Sequence, residues 1–260
     1  MKAVLAEYRD QLPLIVRQIF YRLVGAYGYE KTELAADRLQ ELLTKARRAR
    51  LVPMDWIRDD GFVTEGSFFY ENASAFLTSL TEMARELRLD RQKYQKRRLY
   101  VWCEAAGMVP QLARVANPFG VDVCSSSGFD SLTAKHRMGR LWAGSAVTML
   151  YIGDHDQSGV HVFGNLAEEV RAFAAAYGEV DIECVRLAVT PEQAEAYKLP
   201  SAPPKATDNR RFEGNETWQA EALDPRTLAD ILRAAIEGRI DRTLFEAVLE
   251  EEAEAPLYRA

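Results

Sequence analysis

The sequence predicts an α/β protein, with a helical module over residues 1–90 and a domain built on a four-stranded parallel sheet over residues 91–260. The length of 260 residues allows one large domain or two modest ones. A content of 48% hydrophobic and 28% charged residues is typical of a globular chain and excludes a disordered or collagen-like one. Near residue 99 the apolar pattern changes from a helical period to an alternation of strands and helices, which favours a parallel sheet in the second part.

The same sequence argues against several classes of protein. No apolar run approaches the roughly 20 residues that cross a bilayer, so we expect no membrane partner. The first residues include Glu7, Arg9 and Asp10, which a secretory signal would not carry. The three cysteines are too few and too widely spaced for a disulfide framework or a zinc cage. We therefore expect a reduced, cytoplasmic protein.

The charges are distributed unevenly along the chain. The net charge of −6 alone argues against binding to nucleic acid. Residues 1–100, however, carry 18 basic and 14 acidic side chains, whereas residues 101–260 carry 15 and 25. A basic first part can still bind DNA if its cations share one face, and acids gathered in the second part could hold a divalent cation.

The first 60 residues predict a small helical unit. Pro13 suits the first turn of a helix, and apolar pairs follow at positions 15–16, 19–20 and 23–24. Thr32 is the expected N-cap of a second helix. We expect this second helix to bury Ala35, Leu39, Leu42, Leu43 and Ala46, and to expose Arg38, Lys45, Arg47, Arg48 and Arg50.

A third short helix is expected at residues 54–59. Three short helices with a basic tail are typical of a helix-turn-helix or winged-helix module, and the alternative is a helical cap with a solvated basic face. Residues 68–70 could form a wing strand, and residues 73–87 are predicted to be helical. The basic run at 91–98 then marks the edge of the second domain.

From residue 99 onward, short apolar segments alternate with amphipathic ones. We expect strands at 99–103, 121–124, 147–152 and 180–187, with helices at 109–116, 131–142 and 159–177. This alternation predicts right-handed crossovers and a Rossmann-like parallel sheet that is covered on both faces. Two amphipathic helices are expected near the end, the second capped by Asp241.

Acidic residues follow two of the predicted strands. Glu104 ends the first strand, and Asp154 and Asp156 follow the third. The spacing of two directs both aspartates to one side of an extended segment, while His155 between them is expected to brace the turn. Ligands of open α/β sheets bind at the carboxyl ends of strands, and three carboxylates suit Mg²⁺ or Mn²⁺. The alternative for Asp154 is an N-cap of the following helix.

The residues around these acids resemble a known family. Glu104 and the pair Asp154-x-Asp156, separated by a strand–helix unit, resemble the Toprim domain of topoisomerases, primases and related nucleases. The segment 151–159 (YIGDHDQSG) is similar to the form found in the A subunit of topoisomerase VI and its meiotic double-strand-break relatives. The segment 17–22 (RQIFYR) resembles the winged-helix motif of that family, in which an aromatic residue precedes the DNA-attacking tyrosine.

This resemblance covers most of the chain. It extends to Lys205, Asp208, Arg210 and the segment 221–223. The short length is similar to that of the stand-alone Mini-A proteins of mobile elements, and features are shared with the Toprim nuclease subunit of Wadjet plasmid defence. Two positions depart from the pattern, because Ala105 stands where many relatives have a basic residue and 60–62 (DGF) where relatives tend to end in arginine.

The resemblance implies a Mg²⁺-dependent enzyme that cleaves double-stranded DNA. Tyr21 would attack the phosphate, with Arg17 or Arg22 neutralising its charge, and Asp154 and Asp156 would hold the metal. Glu104 would act as a metal ligand or as the proton donor to the departing sugar oxygen. In this family the tyrosine of one protomer meets the metal site of the other, which implies a homodimer associated with the nucleoid. The chain has no phosphate-binding loop of the G-x-x-x-x-G-K-[ST] kind, so ATP-driven strand passage would need a separate ATPase resembling the B subunit of topoisomerase VI.

Tyr21 can also be judged from its spacing alone. It shares the polar border of the first helix with Arg17 and Gln18, which would leave it exposed and available as a nucleophile. The alternative is a half-buried aromatic residue with its hydroxyl in water. Two other functions remain open: a metal-dependent nuclease in which water attacks, and a non-catalytic DNA-binding subunit.

The candidate DNA contacts are basic residues in both parts of the chain. Those of the helical module lie beside or opposite its apolar stripes, and one further lysine lies on the helix after the second strand, where a solvated face is the alternative. The predicted set is Arg22, Lys45, Arg47, Arg48, Lys135, Lys205 and Arg210. Such contacts to phosphates would give salt-dependent binding.

Overall fold

The computed structural model describes residues 1–58, 69–125, 132–204 and 212–254. Its α-helices are α1 (Lys2–Glu7), α2 (Val16–Tyr27), α3 (Glu33–Arg48), α4 (Ala73–Arg85), α5 (Val109–Ala116), α6 (Leu132–Trp142), α7 (Gln157–Ala175), α8 (Pro191–Ala196), α9 (Pro225–Glu237) and α10 (Arg242–Glu254). Its strands are β1 (Leu14–Ile15), β2 (Ile57–Arg58), β3 (Arg98–Cys103), β4 (Asp122–Cys124), β5 (Ala146–Ile152) and β6 (Asp181–Ala188). Across these ranges, no helix has both the length and the apolar character needed to cross a membrane.

The four strands β3 to β6 form one parallel sheet in the order β4-β3-β5-β6. This confirms the predicted α/β class and the Rossmann-like parallel core. The strand bounds differ from the predicted ones by one residue. The two central strands, β3 and β5, form because short apolar runs are buried on both faces, as parallel sheets require.

Helices cover both faces of the sheet, and alternate residues of β3 show how. Leu99, Val101 and Cys103 lie in one core cluster, together with residues of α5 and α9. Tyr100 and Trp102 lie in a second cluster on the other face, together with residues of α6 and α7. The alternation follows from the two-residue period of a strand.

The strand order creates a switch point between β3 and β5. The chain leaves β3 toward β4 on one side, whereas it leaves β5 toward β6 on the other. The last residues of the two central strands, Cys103 and Ile152, are register partners, so the loops that follow them begin side by side. In open α/β sheets such a crevice is the usual place for a ligand.

The N-terminal helices have a core of their own. Leu5, Ile19, Leu39 and Leu43 are among its buried residues, and the Thr32 side chain caps α3 by accepting from the backbone N–H of Ala35, as predicted. The prediction that Leu42 is buried is wrong, because the inner face of α3 runs through positions 35, 39, 43 and 46 and leaves Leu42 53% exposed.

The predicted wing is not part of the structure as described. Phe69 and Tyr70 belong to no strand, and Phe68 lies outside the described residues. The residues expected to form a third helix instead make a single 3-10 turn, Met54–Trp56, which leads directly into β2. β2 pairs with β1 in parallel, whereas a wing would be an antiparallel hairpin.

A polar contact joins the N-terminal helices to the sheet. The Gln18 side chain on α2 donates to Gln111 Oε1 on α5 at 2.7 Å, and both side chains are buried. Gln111 Nε2 in turn donates to the backbone oxygen of Pro13 at 2.8 Å. Because buried amides need partners, this network fixes the start of α2 against the sheet domain.

Candidate functional site

The three predicted acids lie together at the switch point. Glu104 follows β3, and its Oε2 accepts from the Tyr151 hydroxyl at 3.0 Å and from the Asp154 backbone N–H at 3.2 Å. Asp154 Oδ1 accepts from the backbone N–H of Ala220 at 2.9 Å. The N-cap of α7 is Asp156 and not Asp154, because Asp156 Oδ1 accepts from the backbone N–H of Gly159 at 2.7 Å.

Two glycines allow these acids to approach one another. A Cβ atom at Gly153 would lie 2.5 Å from Glu104 Oε2, and one at Gly159 would lie 2.1 Å from the Asp154 backbone oxygen. No side chain fits at either place without moving the acids. The glycines at both ends of segment 153–159 (GDHDQSG) are therefore needed for steric reasons.

Two of these acids, Asp154 and Glu104, have a raised proton affinity. Burial, followed by the charges of Glu221, Glu104 and Asp156, raises the pKa of Asp154 to about 8. Burial also raises the pKa of Glu104, although the hydrogen bonds from Tyr151 and the Asp154 backbone oppose it. Ionised carboxylates in a low-dielectric site repel one another, so this cluster favours a proton or a cation in its midst.

Glu221 is a fourth acid at the site that the sequence analysis noticed only as part of the family resemblance. It lies in the 3-10 turn Ala220–Ala222, with its side chain 6% exposed and its Oε1 4.0 Å from Arg17 Nη1. Buried acids are rare unless they are paired. Its position within a run of alanine and leucine is the signal that could have revealed it.

Tyr21 is buried and not exposed as predicted. Only 8% of the residue is accessible, because the Gln219–Glu221 segment packs across the polar border of α2. Its hydroxyl donates to Gln219 Oε1, which also accepts from Arg17 Nη2 at 2.8 Å. Burial raises the pKa of Tyr21 to about 12, against the lowering effect of Arg17, so the hydroxyl is held as a neutral phenol.

The segment 219–221 connects Tyr21 to the acids within one chain. Gln219 contacts Tyr21 and Arg17, the Ala220 N–H binds Asp154, and Glu221 faces Arg17. The charges of Glu221 and Asp154 both act on the Tyr21 hydroxyl. The candidate nucleophile Tyr21, the phosphate-neutralising candidate Arg17 and the acids therefore lie in one region of a single protomer. The resemblance implies a different arrangement, in which the tyrosine and the metal site come from two protomers.

Arg186 supports the loop that carries the aspartates. From β6 its guanidinium donates to the backbone oxygens of Asp154 at 2.9 Å and Gly159 at 2.7 Å, and it lies 5.0 Å from the Tyr151 ring centroid and 5.3 Å from that of Phe163. Its donors bind carbonyls, and its positive charge lowers the pKa of Glu104 against the effect of burial. This arginine is not among the site residues predicted from the sequence.

The loop between the aspartates is further held by backbone pairing. The His155 N–H donates to the backbone oxygen of Trp218 at 2.8 Å, and the Trp218 N–H donates back at 3.1 Å. The His155 ring packs against the rings of Trp218 and Phe212. This arrangement agrees with the expected bracing role and gives the ring no contact with the carboxylates.

Most of the residues predicted to contact DNA bind other groups of the protein instead. Arg22 pairs with Glu7, Lys45 pairs with Glu41, and Arg47 donates to a backbone oxygen of the following loop. Arg48 is exposed at the end of α3. Lys205 and Arg210 lie outside the described residues.

The prediction that Lys135 is available to DNA is wrong. Its side chain is 8% exposed and pairs with Glu169. The reason is that α6 turns this lysine toward α7, on which Glu169 lies, and the contact between the two helices covers the ammonium group. A buried, paired lysine cannot contact a phosphate.

The donor chemistry at the switch point fits a hard divalent cation. All candidate ligands are carboxylate oxygens, and a cation would relieve their mutual repulsion. Within the described residues, however, no group of three or more His, Cys, Asp or Glu side chains is arranged to hold a metal ion. The ion itself stays a prediction.

The fold and the site define an α/β protein with a carboxylate cluster at the switch point of a parallel sheet. Comparisons with protein-family models, with curated proteins and with solved structures find no match for this chain. The class is therefore defined by the geometry of the chain.

Proposed function

We propose that this chain is a divalent-metal-dependent enzyme that breaks phosphodiester bonds in DNA, with Tyr21 as the nucleophile, similar in type to the A subunit of topoisomerase VI. One observation carries the proposal: Gln219 binds both the Tyr21 hydroxyl and Arg17, and the next residue, Ala220, binds Asp154. A potential nucleophile, a cation for the phosphate and a carboxylate cluster for a metal are thereby joined. In the finer proposal, residues 1–90 correspond to the winged-helix module of that family and residues 91–260 to its Toprim domain with C-terminal helices.

The chain's own residues would divide the work by their chemistry. Asp154 and Asp156 would hold the metal, with Glu104 either as a third ligand or as a proton donor and with Glu221 beside them, and a bound Mg²⁺ or Mn²⁺ would neutralise charge on the phosphoryl oxygens. Arg17, whose side chain is 57% exposed, is free to turn toward a phosphate once it leaves Gln219. Gln219 would aim the Tyr21 hydroxyl.

The covalent step exchanges one bond at phosphorus for another. A bond forms between Tyr21 Oη and phosphorus while the bond from phosphorus to the sugar oxygen breaks, so that the enzyme is left joined to one DNA end. The phenol gives its proton to water in this step, and the departing sugar oxygen gains a proton. Glu104 is suited to donate that proton because burial raises its pKa and favours the protonated form.

A hydrolytic nuclease is the second candidate, and the burial of Tyr21 favours it. A phenol that is 8% exposed and whose pKa is raised to about 12 is harder to present to a DNA phosphate than a water molecule at the same acids. In that case Tyr21 would be a packing residue, and the products would carry no protein.

The two candidates are separated by the chemical nature of the cut ends. Purified protein is incubated with supercoiled plasmid and Mg²⁺ or Mn²⁺, denatured, and analysed with and without protease. Ends that enter a gel only after protease treatment, and that disappear in Tyr21→Phe, support transesterification. Tyr27→Phe is the matched control, because Tyr27 lies on the same helix but is 53% exposed. Free ends that survive Tyr21→Phe support hydrolysis, and binding without any cutting leaves only a non-catalytic DNA-binding subunit.

The arrangement within one chain has its own test. If each protomer holds a complete site, a mixture of Tyr21→Phe and Glu104→Gln proteins stays inactive, since no protomer has both groups. A site shared between protomers would regain nicking in the mixture, because a heterodimer would contain one intact combination. We propose the first outcome, with sedimentation or light scattering reporting whether a homodimer forms at all. Association with a separate ATPase stays a prediction for the same purified system.

A further inference from the structure

Helix α4 carries an apolar face that the rest of the described chain leaves exposed. The helix begins after Asn72, whose side chain accepts from the Ala75 backbone N–H at 2.8 Å. Four large apolar side chains on this helix remain accessible: Phe76 is 41% exposed, Leu77 61%, Leu80 43% and Met83 61%. Among the described residues, none of these four belongs to one of the three core clusters or packs against one.

A helix as short as α4 needs a packing partner. It has 13 residues, and isolated helices shorter than about 12 to 15 residues are marginal in water even for favourable sequences. In proteins, most of the stability of such a helix comes from the packing of its apolar face. We therefore expect the exposed face of α4 to be covered by another surface.

The apolar residues of α4 have the spacing of a seam between two helices. Positions 73, 76, 80 and 83 are apolar and are separated by three, four and three residues, which is the alternation of the a and d positions in paired helices. Leu77 lies beside this seam. Such a seam packs against a helix with the same pattern, and a second copy of this chain supplies one.

The same face carries no charge. Residues 72–81 include no charged side chain, although 28% of all residues in the chain are charged. Each chain has a net charge of −6, so two copies repel each other when charged surfaces approach. A neutral apolar face allows two copies to meet without bringing like charges together. A strongly charged partner would need complementary charges, which this face lacks.

The glutamates near the end of α4 favour an antiparallel pair. In an antiparallel pair centred on Leu80, Glu82 of one copy lies opposite Thr78 of the other. In the same way, Glu86 lies opposite Ser74. A parallel pair would instead place each glutamate beside its own copy, and like charges at such positions are destabilising.

The area of the face is sufficient for a small specific interface. At about 200 Å² for a fully exposed large side chain, the exposed fractions of the four residues amount to about 400 Å². Phe69, which is 85% exposed and lies three residues before the N-cap, adds about 170 Å². Two copies would together bury about 1,100 Å², which exceeds the roughly 1,000 Å² expected of a specific interface.

We propose that two copies of this chain form an antiparallel, two-fold symmetric dimer through α4, with Leu80 at the axis. Dimers of this symmetry are the commonest oligomers, and the same patch serves both copies. The proposal does not depend on the DNA-cleaving function. Each copy would keep its own Tyr21, Arg17 and acids, because these residues lie outside α4.

Sedimentation velocity at several protein concentrations tests the proposal. We expect the wild type to form a dimer. Leu80→Glu should raise the dissociation constant of the dimer at least tenfold, because two like charges would meet at the axis. Leu141→Glu is the matched control, since Leu141 is 57% exposed on α6, and it should leave the dissociation constant unchanged.

Cysteine cross-linking is a second measurement that introduces no charge. Oxidation with copper phenanthroline should link Leu80→Cys into a disulfide-bonded dimer, because the two copies of this residue meet at the axis. Leu141→Cys is the control. Leu77→Cys and Met83→Cys proteins should cross-link more when mixed than either does alone, since these two positions face each other in the antiparallel pair.

Three outcomes would overturn the proposal, and none of them involves the cutting of DNA. The first is a wild type that stays monomeric at every concentration, which would assign the face to another occupant such as other residues of this chain. The second is a dimer that Leu80→Glu and Leu141→Glu weaken equally. The third is cross-linking of Leu77→Cys and Met83→Cys each with itself and not with the other, as a parallel pair would give.

Discussion

Replacing Asp154 by asparagine removes a buried charge from a cluster of like charges, and the change should stabilise the metal-free protein. In the folded chain the pKa of Asp154 is raised to about 8 from the ordinary value of 3.8. Between these values the folded protein holds a proton that the unfolded chain has released. Stability of the wild type should therefore fall as the pH rises from about 4 to about 8, because the unfolded state binds fewer protons in that window.

The size of the effect follows from the shift. A change of about four pKa units corresponds to about 5 kcal/mol above pH 8, at about 1.4 kcal/mol per unit. Part of that cost arises from the charges of Glu221 and Glu104, which act on Asp154. We expect Asp154→Asn to raise the free energy of unfolding by about 2 kcal/mol at pH 8 and by little near pH 4. The amide oxygen can still accept the hydrogen bond from the Ala220 N–H.

Thermal unfolding in EDTA at several pH values measures this. A gain of about 2 kcal/mol should raise Tm by about 4 to 8 °C in a chain of this size. Asp230→Asn, at an exposed aspartate of α9, is the control and should change little. Added Mg²⁺ should stabilise the wild type and the control but not Asp154→Asn. The reasoning would be refuted if Asp154→Asn were less stable than wild type at pH 8, or if the difference were the same at pH 4.

The remaining predictions concern packing and charge around the site. Gly159→Ala should lower the free energy of unfolding by about 3 kcal/mol, because the new Cβ would lie 2.1 Å from a backbone oxygen. Gly164→Ala on the same helix is the control, since its Cβ meets no atom within 4 Å, and it should be neutral or stabilising. Urea unfolding measures both. Lys135→Met should leave the slope of log K for DNA binding against log salt concentration unchanged, since the ammonium group is buried. A fall of about one unit in this slope would show that Lys135 does contact a phosphate. Arg186→Lys keeps the charge but loses the paired donors to the loop that carries the aspartates. Mg²⁺ should therefore raise the Tm of this variant less than that of the wild type. An equal rise would show that Arg186 does not position the aspartates.

The sheet could be predicted because its signals are local. The segments that became β3 and β5 are short apolar runs, each followed by acids, and a parallel strand order brings those acids together. The site acids Glu104, Asp154 and Asp156 were found for the same reason. Their contact needs only two neighbouring strands to end at one edge.

The misplaced residues depend on distant contacts. Tyr21 lies on a polar border of α2 in sequence, yet residues about 200 positions later cover it. Lys135 looks exposed until α7 packs against its face of α6. Arg186 gains its role from carbonyl oxygens of another segment, which no spacing rule predicts. Helical periodicity gives the faces of a helix, but not which neighbour each face meets.

The contacts of Gln219 and Ala220 also set an order of assembly during synthesis. A ribosome makes Tyr21 first, the acids after β3 and β5 next, and the segment that joins them last. A nascent chain that ends before residue 219 contains all four strands of the parallel sheet, yet it has no link between the tyrosine and Asp154. The site is therefore closed only after residues 219–221 have been synthesised, and products terminated before residue 219 lack the joined site.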